Sequence, residues 1–460
     1  MDGPGDTIVA PITGPFRAPV ALIRVSGPDS WDIARKVFSF RLSVFSESEP
    51  KTEYRKPRTL EPRHAYYGAI IADNEEIDEG FLILFEEGRS YTGEASFELS
   101  CHGSPAIVRQ IVSAMVGLGA RPARPGEFTE RAFMNGRIDL TQAEAVRETV
   151  EAATQAQQRR ARLLRQGRLA QQVGALEERI ARELARAEAT VDFSEEIGEL
   201  DRESARDAIL TLVADIERTL SGYRGARLLR EGLRVAIVGR PNVGKSSLLN
   251  ALLGADRAIV TETPGTTRDT IEETVSMAGY PVVLTDTAGL RESTEQVERL
   301  GVERSMTAVE TADEVWMLFE DPAGWTPEDE AVVASLGRES TLLVANKRDL
   351  PSQRKRVERP GALRVSALTG EGLEQLEDHI RSVFECGGAE IPLINERHKE
   401  DLEETADYLR HAAETLGTDL PTDLACVDLH GALQTVGRIT GRTADEDILE
   451  RIFREFCIGK

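Results

Sequence analysis

Short apolar runs separated by turn residues dominate the first quarter of the chain. TIVAPIT, VALIRVS, AYYGAII, EGFLILFE and SFELSCHG each alternate or run for a few residues between Gly, Pro, Asp or Ser, which predicts strands. SPAIVRQIVSAMVGLG carries a helical period and closes on glycine, which predicts a helix. Residues 1–123 therefore read as a small α+β domain. From Pro125 to Pro241 no proline intervenes, and Ala, Arg, Glu, Leu and Gln prevail, so several long helices are expected. The texture changes again near Arg234. RVAIVG, PVVLTDT, EVWMLF and TLLVANK are buried-strand runs spaced by helical segments, the pattern of a parallel sheet. Helix returns beyond Gly388, in NERHKEDLEETADYLRHAAETL and from Asp423 to Phe456. Because domain ends often lie close together, one helical domain interrupted by an inserted α/β domain is the economical reading. The expected division is 1–123, 124–229 (helical, first part), 230–387 (inserted) and 388–460 (helical, second part).

Composition narrows the partners. The 460 residues hold 79 acids against 56 Lys and Arg, a net charge of −23, which argues against a general nucleic-acid-coating or anionic-membrane role. Four scattered cysteines, Cys101, Cys386, Cys426 and Cys457, form no C-x-x-C pair, which argues against zinc or a disulfide framework and fits a reducing compartment. The apolar runs are strand-sized and the N-terminus lacks a basic leader, so a cytoplasmic protein is expected. The terminal Cys457 invites a prenylation reading, but Lys460 is not a usual ending of that motif.

The inserted segment carries chemistry. GRPNVGKSS, residues 239–247, follows a predicted strand and opens a helix, as a phosphate-binding loop requires. Its turn directs backbone N–H groups at phosphate oxygens, and the helix start adds a favourable dipole. Asn242, Val243, Gly244, Lys245, Ser246 and Ser247 are the expected contacts, with Lys245 reaching the β- and γ-phosphates and Ser246 holding Mg²⁺. Asp286, Thr287, Ala288 and Gly289 (DTAG) end a strand where a Walker-B-type acid belongs. Asn346, Lys347 and Asp349 (NKRD) resemble a guanine-reading motif, in which Asp349 accepts from the base. Ser366, Ala367 and Leu368 stand where the second base loop is expected. Four motifs, in order, imply a Ras-like P-loop domain that binds GTP at the carboxyl edge of its sheet. Leu290 occupies the place of the water-orienting Gln, so either hydrolysis is very slow, or another residue orients the water and another cation offsets the transition-state charge. Asn242, with Thr261, Glu262, Thr263, Pro264, Gly265, Thr266 and Thr267 in TETPGTTRD, resembles the potassium-activated GTPases.

The flanking residues are more specific. DTIVAPIT, LIRVSGP, SYTGE, ARPGEFTERAFMNGRIDLTQAEAV, DTAGLRESTEQVERLGVERS and the terminal FCIGK resemble the MnmE (TrmE) family of tRNA modification GTPases over essentially the whole chain. The resemblance implies an N-terminal folate-binding and dimerising domain, a discontinuous helical domain and the inserted GTPase. It implies a homodimer that acts on tRNA with the FAD-dependent enzyme MnmG (GidA) in a heterotetramer-type complex. Together they would add an aminomethyl-type (carboxymethylaminomethyl) group to C5 of the wobble uridine, position 34, from a 5,10-methylene- or 5-formyl-tetrahydrofolate. Folate contacts would fall on Arg24, Glu98, Arg137 and Lys460, with Cys457 as a nucleophile at the tail. Arg137 stands where the family commonly has Lys, and PFRAPVA replaces its GRGGVG loop. Glu298 would orient water. Mg²⁺ would be held by Ser246 and Thr267, and K⁺ by Asn242 with the carbonyls of Thr261, Thr263 and Thr266. The bland readings make Glu298 and the arginines of RRARLLRQGR solvated helix charges. A ribosome-assembly GTPase switch also carries GTTRD but needs a basic RNA-binding module, and a nucleotide-gated scaffold needs no folate.

Overall fold

The computed structural model describes residues 5–14, 17–45, 50–55, 60–72, 75–193, 198–254, 272–286, 308–337, 341–352, 357–385, 391, 393–456 and 459. It divides into two compact units, one of residues 1–147, 165–174 and 436–460, the other of residues 148–164 and 175–435. The helical segments are shared between the two.

In the first unit, the strands are β1 (Ile8–Pro11), β2 (Ala18–Ser26), β3 (Phe38–Phe45), β4 (Pro50–Arg55), β5 (Ala65–Ala72), β6 (Glu75–Phe85), β7 (Ser96–Gly103) and β8 (Arg121–Pro122). They form one sheet in the order β4-β3-β5-β6-β7-β2-β1-β8. Helices α1 (Ser30–Val37) and α2 (Pro105–Gly117) cover one face. Period-two alternation decides which residues they bury: Ile23 and Val25 of β2 and Phe97, Leu99 and Cys101 of β7 join Ile33, Ile111 and Met115 in that core. Arg24 and Glu98, out of phase with them, are cross-strand partners on the opposite face. The five expected strands and the helix of this segment are present; α1, β3, β4 and the two-residue β8 were not anticipated.

The next helix, α3 (Glu127–Met134), begins at Gly126, and α4 (Leu140–Glu151) follows. Acids at the start of α3 meet three arginines. Glu127, 2% exposed at its side chain, receives Arg121 at 2.7 and 3.1 Å, the Arg124 N–H at 2.7 Å and Arg131 at 3.2 Å. Burial pushes this carboxyl up, but Arg121 and the Arg124 N–H outweigh it and hold it below the ordinary range. Arg131 and Arg121 also take Asp6, at 2.6 and 2.7 Å, which ties the chain's first described residues to α3.

The second unit begins with α5 (Gln155–Arg165). The helix α6 (Arg168–Asp192) crosses the division, and α7 (Arg202–Ser221) and α8 (Tyr223–Glu231) lead to the inserted domain. There β9 (Leu233–Gly239), α9 (Lys245–Leu252), β10 (Glu272–Met277), β11 (Tyr280–Asp286), β12 (Glu314–Glu320), α10 (Pro327–Leu336), β13 (Leu342–Asn346), β14 (Leu363–Arg364) and α11 (Leu373–Glu385) form a doubly wound α/β domain. The strand order is β10-β11-β9-β12-β13-β14. Five strands are parallel as expected; β10 is antiparallel to β11, so the sheet is mixed. The order reverses at β9, whose neighbours are β11 and β12, and that switch point is where the phosphate loop leaves the sheet.

Helices α12 (Glu396–Leu416), α13 (Thr422–Thr440) and α14 (Glu446–Arg454) complete the chain. The sequence suggested one helix from Asp423 to Phe456. Gly441, at φ 89°, ends α13, and a Cβ there would stand 2.6 Å from the Phe133 ring. Asp445 then caps α14 by accepting from the Ile448 N–H at 2.9 Å. Ile448, Leu449, Ile452, Phe453 and Phe456 line one stripe of the last segment and pack on Phe133, Leu140, Ala143 and Val146.

Glu127→Gln should cost about 3 kcal/mol of stability, because it removes the buried counter-charge that three partly covered or exposed arginines share. The carboxyl's contribution is complete above its ordinary value of 4.5 and is lost as pH falls from there through the depressed folded value. Denaturant melts at pH 7 and pH 3 check both points: the penalty should shrink on acidification, and an equal penalty at both would contradict the assignment.

Candidate functional site

The nucleotide loops converge through one amide. At the carboxyl end of β9, Gly239, Asn242 and Gly244 adopt φ of 152°, 65° and 96°. The left-handed turn at Asn242 is uncommon for a residue with a Cβ and closes the loop before α9. A Cβ on Gly244 would overlap Asn346 Nδ2, so glycine permits the close approach of this loop to β13. Asn346 Nδ2 donates to the Val243 carbonyl at 3.0 Å, while its Oδ1 accepts from the Ala367 N–H at 3.0 Å. The phosphate loop, the NKRD turn and the SAL loop are thus cross-linked by a side chain that is 1% exposed.

The other site residues fit around that link. Ser366 is buried and donates from Oγ to Asp349 Oδ1 at 2.6 Å, which aims a carboxylate on an exposed residue. Lys347, at φ 66°, pairs with Glu320, and Leu368 is 83% exposed. Lys245 donates to the carbonyls of Gly239 and Arg240 at 2.8 and 3.0 Å, which holds its ammonium over the loop. Arg240 Nε reaches the fully buried Asp329 at 2.7 Å, and Asp329 is also the acid of a capping box with Thr326. That hydrogen bond raises the arginine's pKa. Ser246 and Ser247 are exposed in the first turn of α9, and β11 delivers Asp286 opposite Ile237 of the loop's own strand. The loop backbone and the exposed Ser246 suit a phosphate with its metal ion. Thr261, Glu262, Thr263, Pro264, Gly265, Thr266, Thr267, Thr287, Ala288, Gly289 and Glu298 lie outside the described residues.

A second constellation lies on the N-terminal sheet. Arg24 donates to Glu98 Oε1 from Nε at 3.0 Å and Nη2 at 2.8 Å, and both side chains are largely covered. Its guanidinium lies 4.5 Å from the Tyr91 ring and 5.6 Å from Phe128. Tyr91 belongs to the loop between β6 and β7, where Arg137 Nη1 donates to the Gly88 carbonyl at 3.0 Å. Arg24, Glu98 and Arg137 therefore surround one loop. The tail reaches the same region. Gly459 is buried at φ 98°, and a Cβ there would overlap the Pro11 carbonyl oxygen and stand 3.0 Å from Ile12 Cα. Pro11 and Ala10 pair with Ile23 and Arg24, so Gly459 lies beside the strand pair that carries the arginine. Helix α14 stops at Arg454, before the tail residues Cys457 and Lys460. Those two residues lie outside the described ones.

Comparison with known proteins bears on both constellations. A model described as the GTP-binding protein TrmE N-terminus matches residues 7–137, and one described as the MnmE helical domain matches residues 140–457. The tRNA modification GTPase MnmE of Chloroflexus aurantiacus is 42% identical over 466 residues, spanning 99% of this chain and 100% of that protein. The MnmE of Moorella thermoacetica is 40% identical over 471 residues, 99% of each chain. The chain belongs to the MnmE family of tRNA modification GTPases. A crystal structure of Aquifex aeolicus Era bound to GDP·AlF4⁻ is similar over 38% of this chain and 66% of that one, at 25% identity and a TM-score of 0.26, and adds nothing to the assignment.

Within this MnmE-family chain, sequence reasoning overlooked Tyr91, Phe128 and Glu320. The first two sit in SYTGE and GEFTE, and the signal was an aromatic in each motif; Glu320 carried none. Asn346→Ala should weaken GTP binding about 30-fold, since it removes two hydrogen bonds and orphans a buried carbonyl, worth about 2 kcal/mol together. Fluorescent-nucleotide titration measures this, and parental affinity would show that the loops hold without the amide.

Proposed function

We propose that this tRNA modification GTPase couples potassium-stimulated GTP hydrolysis to delivery of a folate one-carbon unit to C5 of the tRNA wobble uridine. It would act as a homodimer with the FAD-dependent enzyme MnmG and build an aminomethyl-type, carboxymethylaminomethyl, group. The observation that carries the reading is the seat of Gly459 beside the strand pair bearing Arg24. The contact of Gly459 with Pro11 and Ile12, next to the strand that carries Arg24 and its partner Glu98, supports a role for the tail at that site, which a nucleotide switch alone does not require.

In the nucleotide site, Asp349, oriented by Ser366, accepts from the guanine edge, and Lys245 moves from the loop carbonyls to the phosphates. Ser246 and Thr267 would hold Mg²⁺. Asn242, with the carbonyls of Thr261, Thr263 and Thr266, would hold K⁺, which supplies positive charge where charge builds in the transition state. Glu298 orients the attacking water, a role Leu290 cannot fill. In the N-terminal site, Arg24 holds Glu98 in place to receive polar N–H groups of the folate ring, Arg137 and Lys460 meet its acidic tail, and Cys457 is the nearby nucleophile. The reduced folate itself supplies the carbon. The acidity of the chain and its membership of the MnmE family favour this reading over a ribosome-assembly switch.

Two measurements on the full-length protein test the coupling. GTP turnover should be at least about tenfold faster in K⁺ than in Na⁺ at equal ionic strength, the scale of one lost charge contact in the transition state. Gly459→Ala forces a side chain against Pro11 at a left-handed backbone position. It should leave turnover within about twofold while modified uridine in cells falls at least tenfold, because only the tail is displaced. Equal rates in both salts, or normal modification with the tail displaced, would contradict the proposal.

A further inference from the structure

The first two turns of α5 contact the inserted domain and the segments that enter and leave it, and all these residues belong to one compact unit. Thr154 and Gln157 form the helix start: Gln157 Oε1 accepts from the Thr154 N–H at 3.1 Å, and the Gln157 N–H donates to Thr154 Oγ1 at 3.3 Å. Held that way, Gln157 Nε2 donates to the carbonyl of Arg230, in the segment that enters the domain, at 3.1 Å. One turn on, Arg160 is 2% exposed, pairs with Glu148, and donates to the carbonyls of Leu393 and Ile394, in the segment that leaves it, at 2.8 and 3.3 Å. Arginines of this stretch suggest a solvated helix face in the sequence; Arg160 is instead a buried clasp.

The third contact is with the domain's interior machinery. Strands β10 and β11 form a hairpin closed by Ala278 and Gly279, at φ 52° and 84°, with Met277 paired to Tyr280. The Gly279 carbonyl accepts from the Ala156 N–H at 3.1 Å. That N–H lies in the first turn of α5, where no intrahelical acceptor exists, so the hairpin supplies the missing partner. Tyr280 stiffens the base of the turn by stacking on Phe384 at 4.5 Å and donating to Glu385 at 3.2 Å. Along the chain, the same hairpin directly joins TPGTTRD to DTAG, the two stretches that answer to the γ-phosphate. The two ends of the hairpin are joined by a six-pair antiparallel ladder, a continuous element of regular structure between the nucleotide loops and α5.

We propose that the β10–β11 hairpin is the rod, and the Ala156–Gly279 contact the joint, by which nucleotide state reaches the helical domain. Gln157 and Arg160 hold the entering and leaving segments still, so movement at the phosphate end is delivered to the start of α5. Ala156, Gln157 and Arg160 are positioning residues; none touches nucleotide. The proposal rests on the GTP reading above.

Amide hydrogen exchange on the full-length protein tests it, comparing GDP with a non-hydrolysable GTP analogue after binding of each is verified by titration. Exchange at the first turns of α5 should differ about tenfold between the two in the parent. Ala156→Pro removes the donor at a helix position where proline is tolerated. The difference should then fall below about twofold, with GTP turnover and melting temperature near parental. Gln157→Ala, which frees the entering segment and leaves the Ala156 N–H in place, should reduce the difference by about half and decides the matter if the proline variant melts early. No nucleotide-dependent difference in the parent, or an undiminished one in both variants, overturns the proposal. Failure to bind the analogue faults the GTP reading instead.

Discussion

The end of this chain has to lie on its beginning. Gly459 fits against Pro11 and Ile12 only because it lacks a side chain, and α14 reaches that point only because its apolar stripe packs on α3 and α4. Residues 1–147 and 436–460 therefore share one compact unit although almost three hundred residues separate them. Whatever lies between must start and finish near one place. A helical domain that opens to admit an α/β domain meets that constraint, since the ends of such a domain lie close together. The network of Glu127 with Arg121, Arg124 and Arg131 fixes the floor on which the returning tail is laid, because Gly126, at the start of α3, meets the Phe453 carbonyl and Phe456.

The nucleotide site is organised on a different principle. Its loops come from strands far apart in sequence, and their alignment depends on contacts among themselves. Asn346 spans the phosphate loop and the SAL loop, Ser366 aims Asp349, and Asp329 anchors Arg240. The side chains of Asn346, Ser366 and Asp329 are buried and bonded to one another's loops, which holds the loops in register. Preorganisation of that kind lowers the ordering cost of binding. Lys245 differs in resting its ammonium on two backbone carbonyls of the loop itself, those of Gly239 and Arg240.

Much of this was legible because period and spacing are local. Five strands of the first sheet, four of the second and all four nucleotide motifs could be read from runs of fewer than ten residues. What escaped reading was non-local. The edge strand β10, EETVSM, is polar at four of its six positions and gains its place from pairing with β11. Gly441 breaks a helical pattern because the Phe133 ring, far away in the chain, needs the space. Arg160 reads as one more surface arginine in RRARLLRQGR until the segment at 393–394 is brought to it. Asn346 reads as a base contact in its motif, and its bracing role depends on a carbonyl 103 residues earlier. The Arg24–Glu98 pair shows the intermediate case: each strand's alternation puts its charge on the face opposite α1 and α2, but only the register of β2 against β7 makes them partners.

Titration of the full-length chain with 5-formyltetrahydrofolate, by calorimetry, tests the central claim most directly, compared with a chain ending at Phe456. The account predicts one binding site per parent chain and at least a tenfold loss of affinity without the last four residues, about 1.4 kcal/mol, with GTP affinity unchanged. Equal folate affinity in both chains, or none in the parent, would contradict it.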